Sequence, residues 1–133
     1  MGIYNFKARF APRILDGSKT HTIRPYRANS DAPGKTLHLY TGVRTKQAKL
    51  LMRVPCVRIE SIAIRRIEKR DKVDLVDDVI VTIDGVELSR SECEAFSRRD
   101  GFENFTAMME FWDGRLPFAG QIVHWNYKKG VTE

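Results

Sequence analysis

Ile14-Leu15-Asp16-Gly17-Ser18-Lys19-Thr20-His21-Thr22-Ile23-Arg24 is the stretch on which the reading of this chain turns. Phe10-Ala11-Pro12-Arg13 leads into it as the opening of a short helix, since proline suits a first helical turn and glycine suits the residue just past the last one. The helix therefore ends at Gly17. The β-branched, alternating run from Thr20 to Arg24 then reads as a strand, stopped by Pro25. A helix that hands over to a strand within two residues puts Lys19 at a rim and not in a core. Along the strand Thr20, Thr22 and Arg24 share one face, while His21 and Ile23 share the other. Lys19, two hydroxyls and Arg24 can together hold a phosphate or the polar edge of a base. A threonine-rich edge strand has the same periodicity, so spacing alone favours that plainer reading.

Outward from this stretch, Ile3 to Phe6 forms a short strand, and Asn29 to Gly34 is a turn cluster. Thr36 to Tyr40 is the next strand, ended by Thr41-Gly42. Ala48 to Arg58 is long and mostly apolar, with Pro55 marking a bulge or a sharp corner, and Val57 to Ile67 continues with alternation. Val79 to Ile83 and Val86 to Leu88 flank Asp84-Gly85, a strong two-residue hairpin signal. Ser89-Arg90-Ser91-Glu92 has the form of a capping box and predicts a helix through Phe96 to about Arg99, broken by Gly101. Asn104 caps a further helix that carries Phe105, Met108, Met109 and Trp112 at spacings of three and four; Gly114 and Pro117 end it. Ile122 to Tyr127 is the closing strand. Strands do not alternate regularly with crossover helices, which argues against a doubly wound sheet. The expected fold is α+β: one domain over residues 1–133, built as a small mixed β-barrel of about five to seven strands with about three short flanking helices.

A chain of 133 residues is long enough to bury one core. No apolar run approaches the roughly 20 residues of a membrane helix. Met1 to Phe10 is too short, and too broken by Asn5, Lys7 and Arg9, for a signal peptide, so the expected compartment is the cytoplasm. Cys56 and Cys93 lie far apart, in no C-x-x-C arrangement, and read as reduced and structural. His21, His38 and His124 are scattered, with no pair at ligand spacing, so neither a metal nor a cofactor is expected. The net charge is +6, and it is unevenly placed: residues 1–58 hold 12 Lys and Arg against 2 Asp and Glu, the remainder 11 against 15. Such asymmetry points to a polyanion partner, the alternative being an ordinary solvated basic surface.

Two further segments bear on function. Gly34-Lys35-Thr36-Leu37-His38-Leu39-Tyr40-Thr41-Gly42-Val43-Arg44-Thr45-Lys46 brings three basic residues and Tyr40 around two glycine turns. Cations near an aromatic ring suit nucleic acid, because charge holds phosphate and the ring stacks on a base. A strand followed by a solvated basic loop would look the same. Arg98-Arg99-Asp100-Gly101-Phe102 places an acid at a helix end, where the dipole favours cations. A local role for Asp100 follows, though it can equally pair with Arg98 or Arg99 or cap the helix near Asn104.

Residues 14–24 resemble the signature of the ASCH domain family, in which a Gly-x-Lys-Thr-x-Thr-x-Arg core follows a short helix. Gly34-Lys35-x-Leu37-x-Leu39-Tyr40 resembles that family's second strand, Asp100-Gly101-Phe102 its Glu-Gly-Phe element, and Gly120-Gln121-Ile122-Val123-His124-Trp125 its last strand. The landmarks cover most of the chain in the expected order. The resemblance implies a PUA-like β-barrel, related to RNA-binding domains, with its cleft between barrel and helices. One branch of small ASCH proteins hydrolyses 4-acetylcytidine to cytidine and acetate with a lysine, a threonine and a glutamate. Those roles fall on Lys19, Thr22 and Asp100, where aspartate is a departure: its carboxylate is one methylene shorter, and a misplacement of about 1 Å can lower a rate on the order of 100-fold. The chain is also longer than that branch, mainly in the region from Lys69 to Glu87.

The leading expectation is an ASCH-type nucleic-acid-binding domain for RNA, a monomer that uses Lys19, Thr20, Arg24, Arg27, Tyr40, Arg44 and Lys46. The alternative is a metal-independent amidohydrolase acting on acylated cytidine or a related nucleoside through Lys19, Thr22 and Asp100. A ribonuclease built on Lys19, Thr22 and Tyr40 has a weaker basis, since the sequence offers no histidine pair. A protein-interaction domain would use Trp112 and Phe118 as surface anchors, but their spacing suits a packed helix and its stop, and both are expected in the core.

Overall fold

The computed structural model describes residues 2–27, 31–67 and 79–127. In chain order these form β1 (Gly2–Phe6), a 3-10 turn (Ala8–Phe10), α1 (Ala11–Asp16), β2 (His21–Arg24), β3 (Thr36–Thr41), β4 (Lys49–Arg66), β5 (Val79–Ile83), β6 (Val86–Glu87), α2 (Arg90–Arg99), α3 (Phe105–Trp112) and β7 (Phe118–Trp125). The fold is α+β: a seven-stranded mixed sheet with three short α-helices among the described residues. The strand order is β1-β3-β4-β5-β6, with β7 paired to both β4 and β2. Among the described residues these pairings do not close into the expected barrel; β1, β2 and β6 each have a single neighbour there. None of the described helices is long and apolar enough to cross a membrane.

The chain divides into two compact units. One comprises Met1–Thr22, Arg27–Ile59 and Val123–Glu133, the other Ile23–Tyr26 and Glu60–Ile122. In the first unit β1 lies parallel to β3, with Gly2 opposite Leu37 and Phe6 opposite Thr41. Alternation along β1 buries Tyr4 and Phe6 and leaves Ile3 and Asn5 exposed. β3 is antiparallel to β4. The register slips where Leu39 faces Met52 and Tyr40 faces Leu50, so Leu51 is an extra residue. This bulge explains why Leu51 and Met52 are both buried although adjacent. The sequence expects a bulge or a sharp corner at Pro55; the bulge is not there, since Pro55 is in register opposite Thr36. Its carbonyl accepts the Asn126 N–H at 3.2 Å, so its nitrogen also faces away from β3 and the missing N–H removes no bond of that ladder. Tyr4, Ile14, Leu37, Leu39, Met52 and Val54 make this unit's core.

In the second unit the latter part of β4 pairs with β5, and β5 turns into β6 through Asp84 and Gly85, both at positive φ. That is the conformation the Asp-Gly signal predicts. Asp84 also accepts the Ser61 N–H at 2.8 Å, tying the hairpin to β4. Both helix starts stand where the sequence expects them. Ser89 and Glu92 form a reciprocal capping box at α2, and Asn104 accepts the Ala107 N–H at 2.8 Å at α3. Phe96, Phe102, Phe105, Met108, Met109 and Trp112 are buried. Trp112 is core as expected; Phe118, 4.6 Å from its ring, is only half-buried. Of the Lys69 to Glu87 region, residues 69–78 lie outside the described residues, and the rest is the β5–β6 hairpin. Cys56 and Cys93 are buried free thiols. Burial pushes both up in pKa, Cys93 to about 11.

Candidate functional site

Lys19 is set by the turn that follows α1. The Asp16 carboxylate accepts the Ser18 N–H at 2.7 Å, and the hydrogen bonds from Ser18 hold this carboxyl below its ordinary pKa. Gly17 takes φ 85, and the Lys19 N–H returns to the Arg13 carbonyl at 2.9 Å. A side chain at Gly17 would be strained at that φ and would come within 2.7 Å of the Tyr127 ring, whose hydroxyl donates to the Leu15 carbonyl at 2.9 Å. The turn sends Lys19 inward. It is 3% exposed, with its ammonium 5.1 Å from the Phe10 ring centroid and 5.8 Å from that of Phe6. The rim position expected from the sequence is therefore wrong. A short helix-to-strand link fixes where the backbone goes and leaves the side-chain direction open. Here the aliphatic stem packs inward and the cation lies near two ring faces.

β2 departs from the expected two-faced strand. His21, Thr22 and Ile23 are all buried, so both faces are covered. Thr20 is half-buried, and its carbonyl accepts the Trp125 N–H at 2.9 Å. Arg24 is half-buried. Asp100 caps the C-terminal end of α2, its N–H bonded to the Phe96 carbonyl at 2.9 Å, and it is 5% exposed. Lys19 and Thr22 belong to the first unit, Arg24 and Asp100 to the second.

The fold also assembles a histidine pair that the sequence hides. The rings of His21 on β2 and His124 on β7 lie 5.3 Å apart at 49°. No sequence spacing relates them; only the pairing of β2 with β7 does. Among the described residues no group of three or more His, Cys, Asp or Glu gathers in a way that could hold a metal ion.

The remaining predicted residues lie nearer solvent. Arg27 is exposed, its guanidinium 4.3 Å over the Tyr4 ring, and the Tyr4 hydroxyl donates to Asp31 at 2.6 Å. Tyr40 is half-buried on β3; Arg44 and Lys46 are exposed in the following loop. That loop is well tied. The Thr45 N–H and hydroxyl both reach the Gly42 carbonyl, at 3.0 and 2.6 Å, and Asn5 accepts the Val43 N–H at 3.0 Å. Arg44 is the third residue of this Gly42–Thr45 turn and stands at φ 71, a conformation that glycine adopts with far less strain. An arginine held there costs folding free energy of roughly 1–2 kcal/mol.

Charge follows the structural division. The first unit holds 13 Lys and Arg against 3 Asp and Glu, a formal +10; the second holds 10 against 14, a formal −4. The two described acids of the first unit are both engaged, Asp16 with Ser18 and Asp31 with Tyr4. Among the described residues Lys35, Arg44, Lys46 and Lys49 have no ion-pair partner.

Two residues beside Tyr40 were missed. His38 shares its face of β3, which strand alternation alone would have revealed. Arg53 stands opposite His38 across the β3–β4 ladder, which no sequence signal specifies. No family model, no curated protein and no solved structure matches this chain.

Proposed function

We propose that this chain is an ASCH-type, PUA-like module that binds nucleic acid, RNA foremost, through its basic first unit. The observation that carries the reading is the +10 formal charge of that unit, in which both described acids are already hydrogen-bonded. A concentrated cationic surface with few internal counter-charges attracts a polyanion. Arg27, Arg44 and Lys46 are its exposed contacts among the residues the sequence singles out, and Thr20 and Tyr40 are half-buried in the same unit.

Arg44 supplies the test. Replacing it by glycine removes a charge and relieves the left-handed backbone at φ 71. Fluorescence anisotropy with a labelled RNA should show Arg44→Gly binding about tenfold more weakly, the worth of one charged contact. Thermal melting should show stability unchanged or raised by up to about 1 kcal/mol. Equal affinity in the two proteins would remove Arg44 from the interface and the basic-loop model with it.

A second reading is favoured by the burial of Lys19 and Thr22 within one unit, at 3% and 5% exposure. Shielded ionisable and hydroxyl groups are more useful to chemistry than to folding. On this reading Lys19 activates Thr22 or a water for attack on the amide carbonyl of 4-acetylcytidine. The C–N bond breaks as the proton taken up by Lys19 passes to the leaving amine, and cytidine and acetate are released; where Thr22 is the nucleophile, a water then hydrolyses its acetyl ester to give the acetate. Absorbance at the acetylcytosine band follows the reaction. Turnover by the wild type and none by Lys19→Ala is expected; equal baselines would end the hydrolase reading.

A further inference from the structure

The outer face of β1, β3 and β4 carries a set of side chains that lie outside the core. Ile3, His38 and Arg53 stand in register across the three strands, and Asn5, Tyr40 and Leu50 stand beside them. The opposite face holds Tyr4, Leu37, Leu39, Met52 and Val54 and is sealed in the core. On the outer face Ile3 is 42% exposed, Asn5 and Arg53 are exposed, and His38 and Tyr40 are half-buried. Burial thus fixes the register of the sheet from one side only, and the composition of the other side is free to serve a ligand.

That composition is an aromatic pair flanked by cations. His38 and Tyr40 are two residues apart on one strand, which sets their rings about 6.6 Å apart along it. Two neighbouring, unstacked bases can each lie on a ring at that spacing, as on other sheet surfaces that take single strands. Arg53 stands opposite His38 at one end, and at the other the Gly42–Thr45 turn that carries Arg44 begins two residues after Tyr40. We propose that this face is a stacking platform for single-stranded nucleic acid, with His38 and Tyr40 each taking one base and Arg53 and Arg44 holding the flanking phosphates. The inference rests on the nucleic-acid reading above and deepens it. The +10 charge of the unit argues for a polyanion over a protein partner. Rings carried on a sheet face select unpaired bases, because a duplex keeps its base faces stacked inside.

Three probes distinguish the outcomes: a labelled single-stranded RNA of about ten nucleotides, the same backbone without bases, and an RNA duplex. Each is titrated into the wild type, His38→Leu, Tyr40→Leu and Tyr40→Phe, with circular dichroism confirming the fold of every variant. The wild type should bind the base-bearing strand at least about fivefold more tightly than the abasic one. His38→Leu and Tyr40→Leu should each lose about fivefold on the base-bearing strand and nothing on the abasic strand, while Tyr40→Phe keeps the ring and the affinity. Strand binding that is equal in all four proteins, or tighter binding of duplex, overturns the platform and leaves the nucleic-acid reading standing. No binding of any probe at low salt overturns both.

Discussion

Affinity for single-stranded RNA should fall about a hundredfold when salt is raised from about 50 to about 200 mM. The magnitude follows from the exposed cations. Lys35, Arg44, Lys46, Lys49 and Arg53 are all solvent-facing in the first unit. Each phosphate that such a group neutralises releases condensed counterions, with a slope of about −0.7 per contact on a single strand. About five contacts over a fourfold salt range give the stated loss. Arg44→Gly should lower the slope by roughly one contact, whereas Arg115→Ala, in the acidic second unit, should leave it unchanged. Anisotropy titrations at four salt concentrations measure both. An affinity that does not move with salt would mean that the basic unit serves some other purpose.

Truncating Phe105 to alanine should lower the unfolding free energy by about 3–5 kcal/mol. Phe105 is 1% exposed at the first position of α3. Its N–H donates to the Glu94 carboxylate of α2 at 2.6 Å, and the Arg90 guanidinium lies 5.9 Å from its ring. The ring is therefore seated where the two helices meet. One turn later Ser97 of α2 lies 3.2 Å from the Met108 sulfur of α3. Removing the ring leaves a cavity that this paired structure cannot collapse around without breaking those contacts. Chemical denaturation checks the value, and Thr106→Ala, at the neighbouring exposed position, should stay within about 0.5 kcal/mol of the wild type. A loss below about 1 kcal/mol in Phe105→Ala would show that the α2–α3 seam is loosely packed.

Features encoded locally were legible in the sequence. Ser89 with Glu92, Asn104, Asp84-Gly85 and Gly17 each specify a backbone event through their own side chains or their lack of one, and each event is found in place. Long-range pairing was not legible. The parallel join of β1 to β3 skips α1 and β2, and nothing in the sequence of β1 names its partner. The extra residue at Leu51 belongs to a long apolar run in which every register buries something, so Pro55 drew the bulge in its place. The candidate site suffers from the same limit. Tyr40, Arg44 and Lys46 sit near solvent where a basic loop would put them. Lys19 does not, because its direction depends on the Phe6 and Phe10 rings that come from two other elements. Arg53 and the His21–His124 stack depend on strand partners in the same way.

The two buried thiols have a practical consequence for spectroscopy. At neutral pH Cys93, with its pKa near 11, holds almost no thiolate, and Cys56 is shifted in the same direction. Maleimide and related reagents attack the thiolate, so both native cysteines are slow targets while the protein is folded. A single cysteine introduced at an exposed position such as Thr45 can then be labelled selectively in the wild-type background. A fluorophore there would ride on the turn that carries Arg44, and would report ligand arrival without any native residue of the core being replaced.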